Sequence, residues 1–304
     1  MDLNKQTERS PGRRGLLRGT LVACCAMALS AAGATAASAS TATPRTVNYV
    51  ALGDSYASGP GIPTQVHTVC ARSDQNYPSL LAAARNWQLT DVSCSGATTT
   101  ALAGPQGAQP PQLDALGEDT DVVTLTIGGN DLGFSSNLAT CASLTSKGPA
   151  GHPCRTFFTS DGTDRLEQRV DDIAPKITAA LDAVRERAPY AKVVVVGYPD
   201  LFPEDGVGCT GSAVPIAAGD FAYLRDTEKK LNSMLASQAS ANGAGYVDTY
   251  TPTVGHDLCK PAGERWIEPL VAAAPAAPAH PNAQGQQAMA AAVEHTLHCR
   301  AYRR

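Results

Sequence analysis

The chain has 304 residues, with 24 basic against 28 acidic side chains, a formal net charge of −4, 43% apolar residues and 5% aromatic residues. Its first 39 residues hold five of the basic and two of the acidic side chains, so the remainder carries −7 and no basic stripe, which argues against a nucleic-acid partner. So few aromatics also argue against an aromatic-lined sugar platform.

The N-terminal 39 residues read as a secretory signal peptide: a basic Arg13-Arg14 start, a short apolar stretch around Leu21-Val22-Ala23, and small residues suited to cleavage. Arg13-Arg14-Gly15-Leu16-Leu17 fits a twin-arginine signal as well as an ordinary Sec signal. Secretion of a single domain over 40–304 is therefore expected. Seven cysteines follow the signal, at 70, 94, 141, 154, 209, 259 and 299. None forms a CxxC pair or stands at zinc-ligand spacing, and in an exported chain they read as disulfides. Consecutive pairing is the simplest choice, but the sequence leaves connectivity open; Cys299 would be left as a free thiol.

In chain order, five stretches read as strands: 47–53, 89–94, 121–129, 191–199 and 243–250. Three are nearly continuous apolar or β-branched runs, as befits strands covered on both faces. Helical patterns occupy 77–87, 165–188, 223–242 and 282–298, with Pro175 expected to kink the second or to delay its start. The alternation predicts a three-layer α/β/α sandwich around a central five-stranded parallel sheet. The remaining length falls in stretches that read as irregular, 132–163, 200–222 and 251–281.

Active groups of open α/β sheets gather beyond the carboxyl ends of the strands. The polar residues there are Asp54-Ser55, Ser93 to Gly96, Gly128 to Asp131, and Asp200. Ser55 as a nucleophile needs a base and donors for an oxyanion. The N–H groups of Ser55 and Gly96 and the side-chain amide of Asn130 can supply the donors, although GDS and GGND also occur as plain turns. Of the six histidines, His67 and His152 sit in polar loops, and His295 and His298 in an Ala-rich helix. His256 beside Cys259 suits a structural loop, whereas His280 precedes the N-cap residue Asn282 and suits a base held at a helix entrance. Leu132, Phe134, Leu138, Phe157, Phe158, Leu201 and Phe202 are candidates for an acyl groove, or for loop packing.

Gly53-Asp54-Ser55, Gly96, Gly128-Gly129-Asn130-Asp131 and His280-Pro281-Asn282 stand in the order of the four blocks of the SGNH (GDSL) hydrolases. The chain resembles that family over most of its length, and in the Arg265-Trp266-Ile267-Glu268-Pro269-Leu270 stretch it resembles the secreted lipases and esterases of Streptomyces and related actinobacteria. The resemblance implies a flavodoxin-like sheet of order 2-1-3-4-5 and hydrolysis of acyl esters with no metal or cofactor. It assigns Ser55 as nucleophile, His280 as base, and Ser55, Gly96 and Asn130 as the oxyanion site. It also implies the bridges Cys70–Cys94, Cys141–Cys154 and Cys209–Cys259. The expected partner is a small-molecule or lipid ester met by a monomer, with transient contact at a lipid interface. Phospholipase or carbohydrate acetylesterase activity, or a non-catalytic lipid-binding module, are the alternatives.

The family commonly places an aspartate three residues before the histidine. Here that residue is Ala277, and the nearest acid upstream is Glu268. A main-chain carbonyl from 276–279 is left to orient the base, giving a Ser-His dyad.

Overall fold

The computed structural model describes residues 45–271 and 276–301, with side chains to 298. The signal-peptide reading and the state of Cys299 lie outside the described residues. Among the described residues seven strands form: β1 Asn48–Gly53, β2 Gln65–His67, β3 Arg72–Ser73, β4 Gln88–Asp91, β5 Val122–Thr126, β6 Lys192–Val196 and β7 Gly245–Val247. β2 and β3 make a small antiparallel ribbon; the other five make one parallel sheet in the order β4-β1-β5-β6-β7. Counting only those five, the order is 2-1-3-4-5. All of Val122–Thr126 is buried, the expected fate of a β-branched run at the centre of a parallel sheet.

Right-handed crossovers that run first one way and then the other along a sheet put helices on both faces. Tyr77–Arg85 packs with Ala283–Ala301, and Arg165–Arg187 packs with Phe221–Ala241. Local chemistry starts these helices as the sequence suggests. Asn76 caps the first by accepting from the Ser79 N–H at 3.0 Å, and Asp164 caps Arg165–Arg187 by accepting from Leu166 and Glu167 at 3.0 and 3.1 Å.

Two expectations are corrected. Arg165–Arg187 does not start late: it begins at its Asp164 cap and stays helical through Pro175. The carbonyl that the proline leaves without a donor is that of Asp171, which is exposed to water, so the loss is tolerated. The stretch 132–163 is largely helical, with Phe134–Lys147 and Pro153–Phe158. Its small polar residues hide a buried face of Leu138, Cys141 and Thr145 at helical spacing. The Cys141–Cys154 bridge joins these two helices, Cys70–Cys94 ties the ribbon to the end of β4, and Cys209–Cys259 links two long loops.

One glycine fixes where β1 ends. Gly53 has φ +152°, and a Cβ there would lie 2.6 Å from the Thr126 carbonyl oxygen of neighbouring β5. Its N–H and carbonyl are held by the side chain of Gln112, at 2.7 and 2.9 Å. Gly53→Ala is expected to cost about 2–4 kcal/mol through backbone strain and overlap. Urea unfolding should show this as a lower midpoint at unchanged slope.

Candidate active site

Just past Gly53 the chain turns into the short helix Ser55–Ser58. Asp54 caps it, accepting from the Tyr56 N–H at 2.9 Å, and this sets Ser55 at the first helical position. The Ser55 hydroxyl lies 2.7 Å from Nε2 of His280, which is 225 residues further along the chain. Nδ1 of His280 lies 2.7 Å from the carbonyl oxygen of Pro278. A carbonyl only accepts, so Nδ1 carries the ring proton and Nε2 is free to take the serine's. Burial lowers the His280 pKa from its ordinary value, opposed in part by the Pro278 carbonyl.

The loop presenting His280 is fixed at several points. Ala279 adopts φ +57°, an uncommon conformation for a residue with a side chain. The Tyr56 hydroxyl donates to the Ala279 carbonyl at 2.6 Å, and the Tyr56 ring packs against the imidazole with centroids 5.0 Å apart. Two backbone bonds join the loop to Glu268: Ala279 N–H to the Glu268 carbonyl, and Glu268 N–H to the His280 carbonyl, both at 3.0 Å. The Glu268 carboxylate accepts from Arg265 at 2.9 and 3.1 Å and from the Asn282 amide at 3.1 Å. Asn282 in turn caps the helix that follows, accepting from the Gln284 and Gly285 N–H groups at 3.0 and 3.2 Å. From that helix the buried Gln286 donates to the Tyr56 carbonyl at 3.0 Å and accepts from the Tyr77 N–H at 2.7 Å.

The other strand ends reach the same edge. At the end of β5 the Gly129 N–H donates to the Tyr198 hydroxyl at 2.8 Å, and that hydroxyl donates to Asp54 at 2.6 Å. Burial pushes the Asp54 carboxyl up to about 7, against the pull of the Tyr198 hydroxyl and the Tyr56 N–H. Asn130, next in the chain, donates one amide hydrogen to the Ala97 carbonyl at 2.9 Å and keeps the second. Gly96 stands in the adjoining turn at φ +80°, with Cys94 N–H bonded to the Gly53 carbonyl at 3.0 Å. Among the described residues the N–H groups of Ser55 and Gly96 meet no protein acceptor.

A cleft of about 660 Å³, solvent mouth included, opens from Ser55, Asn130 and His280 between apolar walls. Leu132, Phe134, Leu138, Leu201 and Phe202 line it. Phe157 and Phe158 do not: Phe157 is exposed under the Arg165 guanidinium and Phe158 is buried beside it. Asp200 stays outside the cleft as well, its N–H on the Thr253 hydroxyl at 2.8 Å and its carboxylate bonded to Tyr250. His256 is occupied elsewhere, stacked on Trp266 with centroids 3.5 Å apart and its Nδ1 2.6 Å from the Glu264 carbonyl.

Residues 51–288 match the GDSL-like Lipase/Acylhydrolase family. The chain belongs to that family. It is 39% identical over 292 residues to Lipase 2 of Streptomyces coelicolor, covering 94% of this chain and 97% of that one. Two solved structures are similar. An extracellular lipase from Streptomyces rimosus has a TM-score of 0.69 at 30% identity, and a phospholipase A1 from Streptomyces albidoflavus NA297 has 0.70 at 29%; each comparison spans 83% of this chain and all of the other. Family membership agrees with the flavodoxin-like strand order and with the GDS and GGND blocks lying at strand ends.

Within this GDSL frame, sequence reasoning passed over Tyr56, Tyr198 and Gln286. The two tyrosines carry a readable signal, since each sits at a strand end beside a candidate site residue. Gln286 has none, because a glutamine in an Ala-rich helix reads as solvated. The lowered His280 pKa yields a pH prediction. A histidine acts as a base in its neutral imidazole form, and for His280 that form persists as pH falls until the lowered pKa is passed. The acid limb of kcat/KM on a soluble ester is therefore expected below 6.5, the ordinary histidine value. A pH–rate profile measures it.

Proposed function

We propose that the protein is a secreted serine hydrolase that cleaves carboxylic esters of acyl chains, such as triacylglycerols, through an acyl-enzyme on Ser55. The observation that carries this reading is the chain of contacts from Ser55 Oγ to His280 Nε2 and from His280 Nδ1 to Pro278, each 2.7 Å, at the mouth of an apolar cleft. In this mechanism Ser55 Oγ attacks the ester carbonyl while its proton passes to Nε2. The developing oxyanion is held by the Ser55 and Gly96 N–H groups and the spare Asn130 amide hydrogen. Collapse of the tetrahedral intermediate breaks the bond to the alcohol oxygen, which leaves with the proton from His280. Water, deprotonated by the same nitrogen, then releases the acid and restores Ser55.

No carboxylate is needed to set the tautomer, because the Pro278 carbonyl does so. A neutral carbonyl stabilises the imidazolium less than a buried carboxylate does, and the lowered His280 pKa is in keeping with this. The acids that a Ser-His-acid triad could draw on are engaged elsewhere: Glu268 with Arg265 and Asn282, Asp257 with the Cys259 N–H, and Asp200 with Tyr250. Export is supported by the reading of the first 39 residues and by the three disulfides. A phospholipase reading draws support from the likeness to the Streptomyces albidoflavus phospholipase A1. Acyl release from phosphatidylcholine, measured beside release from triacylglycerol, separates the two.

Hydrolysis of p-nitrophenyl esters tests the chemistry. Ser55→Ala and His280→Ala are each expected to lower kcat by about 10⁴-fold or more. Asn130→Ala should lose about 10²–10³ in kcat. Equal turnover by Ser55→Ala sinks the mechanism. Asp200→Asn and Asp257→Asn should stay within about tenfold of the parent; a loss of several orders of magnitude in either would replace the dyad with a triad.

A further inference from the structure

Helix Phe221–Ala241 presents Leu224, Thr227, Glu228 and Leu231 to the cleft that opens from Ser55, the i, i+3, i+4, i+7 spacing of one helix face. Three of these suit a cleft wall: two leucines, and a threonine whose hydroxyl is spent on the Tyr223 carbonyl at 2.9 Å. The fourth is a carboxyl group. Glu228 is only 7% exposed; one of its oxygens meets the Leu201 N–H at a long 3.4 Å, and the other has no hydrogen-bond partner. The remaining buried polar side chains of the cleft are satisfied from within the protein. Asn137 bonds the Leu132 carbonyl and Arg169, Asp54 bonds Tyr198 and the Tyr56 N–H, and Tyr198 bonds Asp54 and the Gly129 N–H. Outside the Ser55–His280 chemistry, Glu228 is thus the buried group of the cleft with unused hydrogen-bonding capacity.

An unpartnered buried polar group costs about 1–3 kcal/mol, so its place in an otherwise apolar wall calls for a partner that arrives from outside. We propose that Glu228 is a specificity-determining residue whose carboxyl hydrogen-bonds a hydroxyl group carried on the acyl chain in the cleft. The proposal rests on the ester-hydrolase reading and adds a substrate class to it: esters of hydroxylated rather than plain fatty acids. The acyl side is the one concerned because the cleft is walled mainly by leucine and phenylalanine side chains, which suits a chain and not a glycerol or sugar leaving group. Burial, with the Asp200 carboxyl nearby, pushes the Glu228 carboxyl well above its ordinary range, and in its protonated form it can both donate to and accept from a hydroxyl. A charged group would repel the chain; a neutral acid tolerates it and reads one polar mark on it.

The test uses the full chain and p-nitrophenyl esters of one acyl length, either unsubstituted or bearing a single hydroxyl at successive carbons. Expected is a maximum in kcat/KM at one hydroxyl position, about tenfold above the unsubstituted ester and carried mainly by KM, the worth of one hydrogen bond. Glu228→Leu should abolish that maximum and favour the unsubstituted chain, while Glu228→Gln, which also donates and accepts, should keep most of it. The readout is a ratio within each variant, so a partly folded preparation does not disturb it. If the leucine variant does not fold, Glu228→Met takes its place. A parent that hydrolyses plain esters but shows a flat profile overturns the role of Glu228 alone, as does a maximum that survives in the leucine or methionine variant. A parent that hydrolyses none of the esters overturns the hydrolase reading and this proposal with it.

Discussion

The imidazole of His280 takes its orientation from the main chain at Pro278. A carboxylate on a flexible side chain can follow a histidine through small movements; a carbonyl two residues away in the same turn cannot. The ring is therefore only as well placed as the backbone of 277–280, and much of the surrounding structure holds that backbone still. Tyr56 grips it from the side of Ser55, the Glu268 backbone bonds flank it, and the Arg265–Glu268–Asn282 cluster joins it to a helix cap. Glu268, the nearest acid upstream, contributes by bracing the loop without touching the ring.

The same economy shapes the electrostatics. Asp54 is pushed up to about 7 and His280 is lowered, and burial is the leading cause of both. Burial disfavours whichever form is charged, so an acid and a base shift in opposite directions toward neutrality. Hydrogen bonds of fixed direction organise this edge of the sheet: Tyr198 spans from Asp54 to Gly129, and so connects the turn carrying Ser55 to the one carrying Asn130. Fixed dipoles in a dry site need no rearrangement when charge develops, which is where such sites draw most of their effect.

Val122–Thr126 and Lys192–Val196 were legible because Val-rich buried runs leave a dense signal, and the carboxyl ends of the strands pointed to Ser55, Gly96 and Asn130. His280 was legible by elimination and by its place before Asn282. Phe134–Lys147 was not, since its buried face holds an asparagine, a threonine and a disulfide cysteine beside one leucine, and its serines are exposed. Phe157 and Phe158 misled for the opposite reason: apolar character alone does not say which way a loop faces. Glu228 was invisible because Glu228-Lys229-Lys230 reads as a solvated charge run, and only the packed helix shows that the first of the three turns inward.

Gln286 bonds the Tyr56 carbonyl and the Tyr77 N–H from a helix more than two hundred residues further along. This spacing has a consequence in time. During synthesis Ser55 emerges early and His280 late, so a nascent chain carries the hydroxyl long before the imidazole that meets it. A product that stalls before residue 280 holds the serine without the imidazole that meets it, although the last strand of the sheet, Gly245–Val247, is already made.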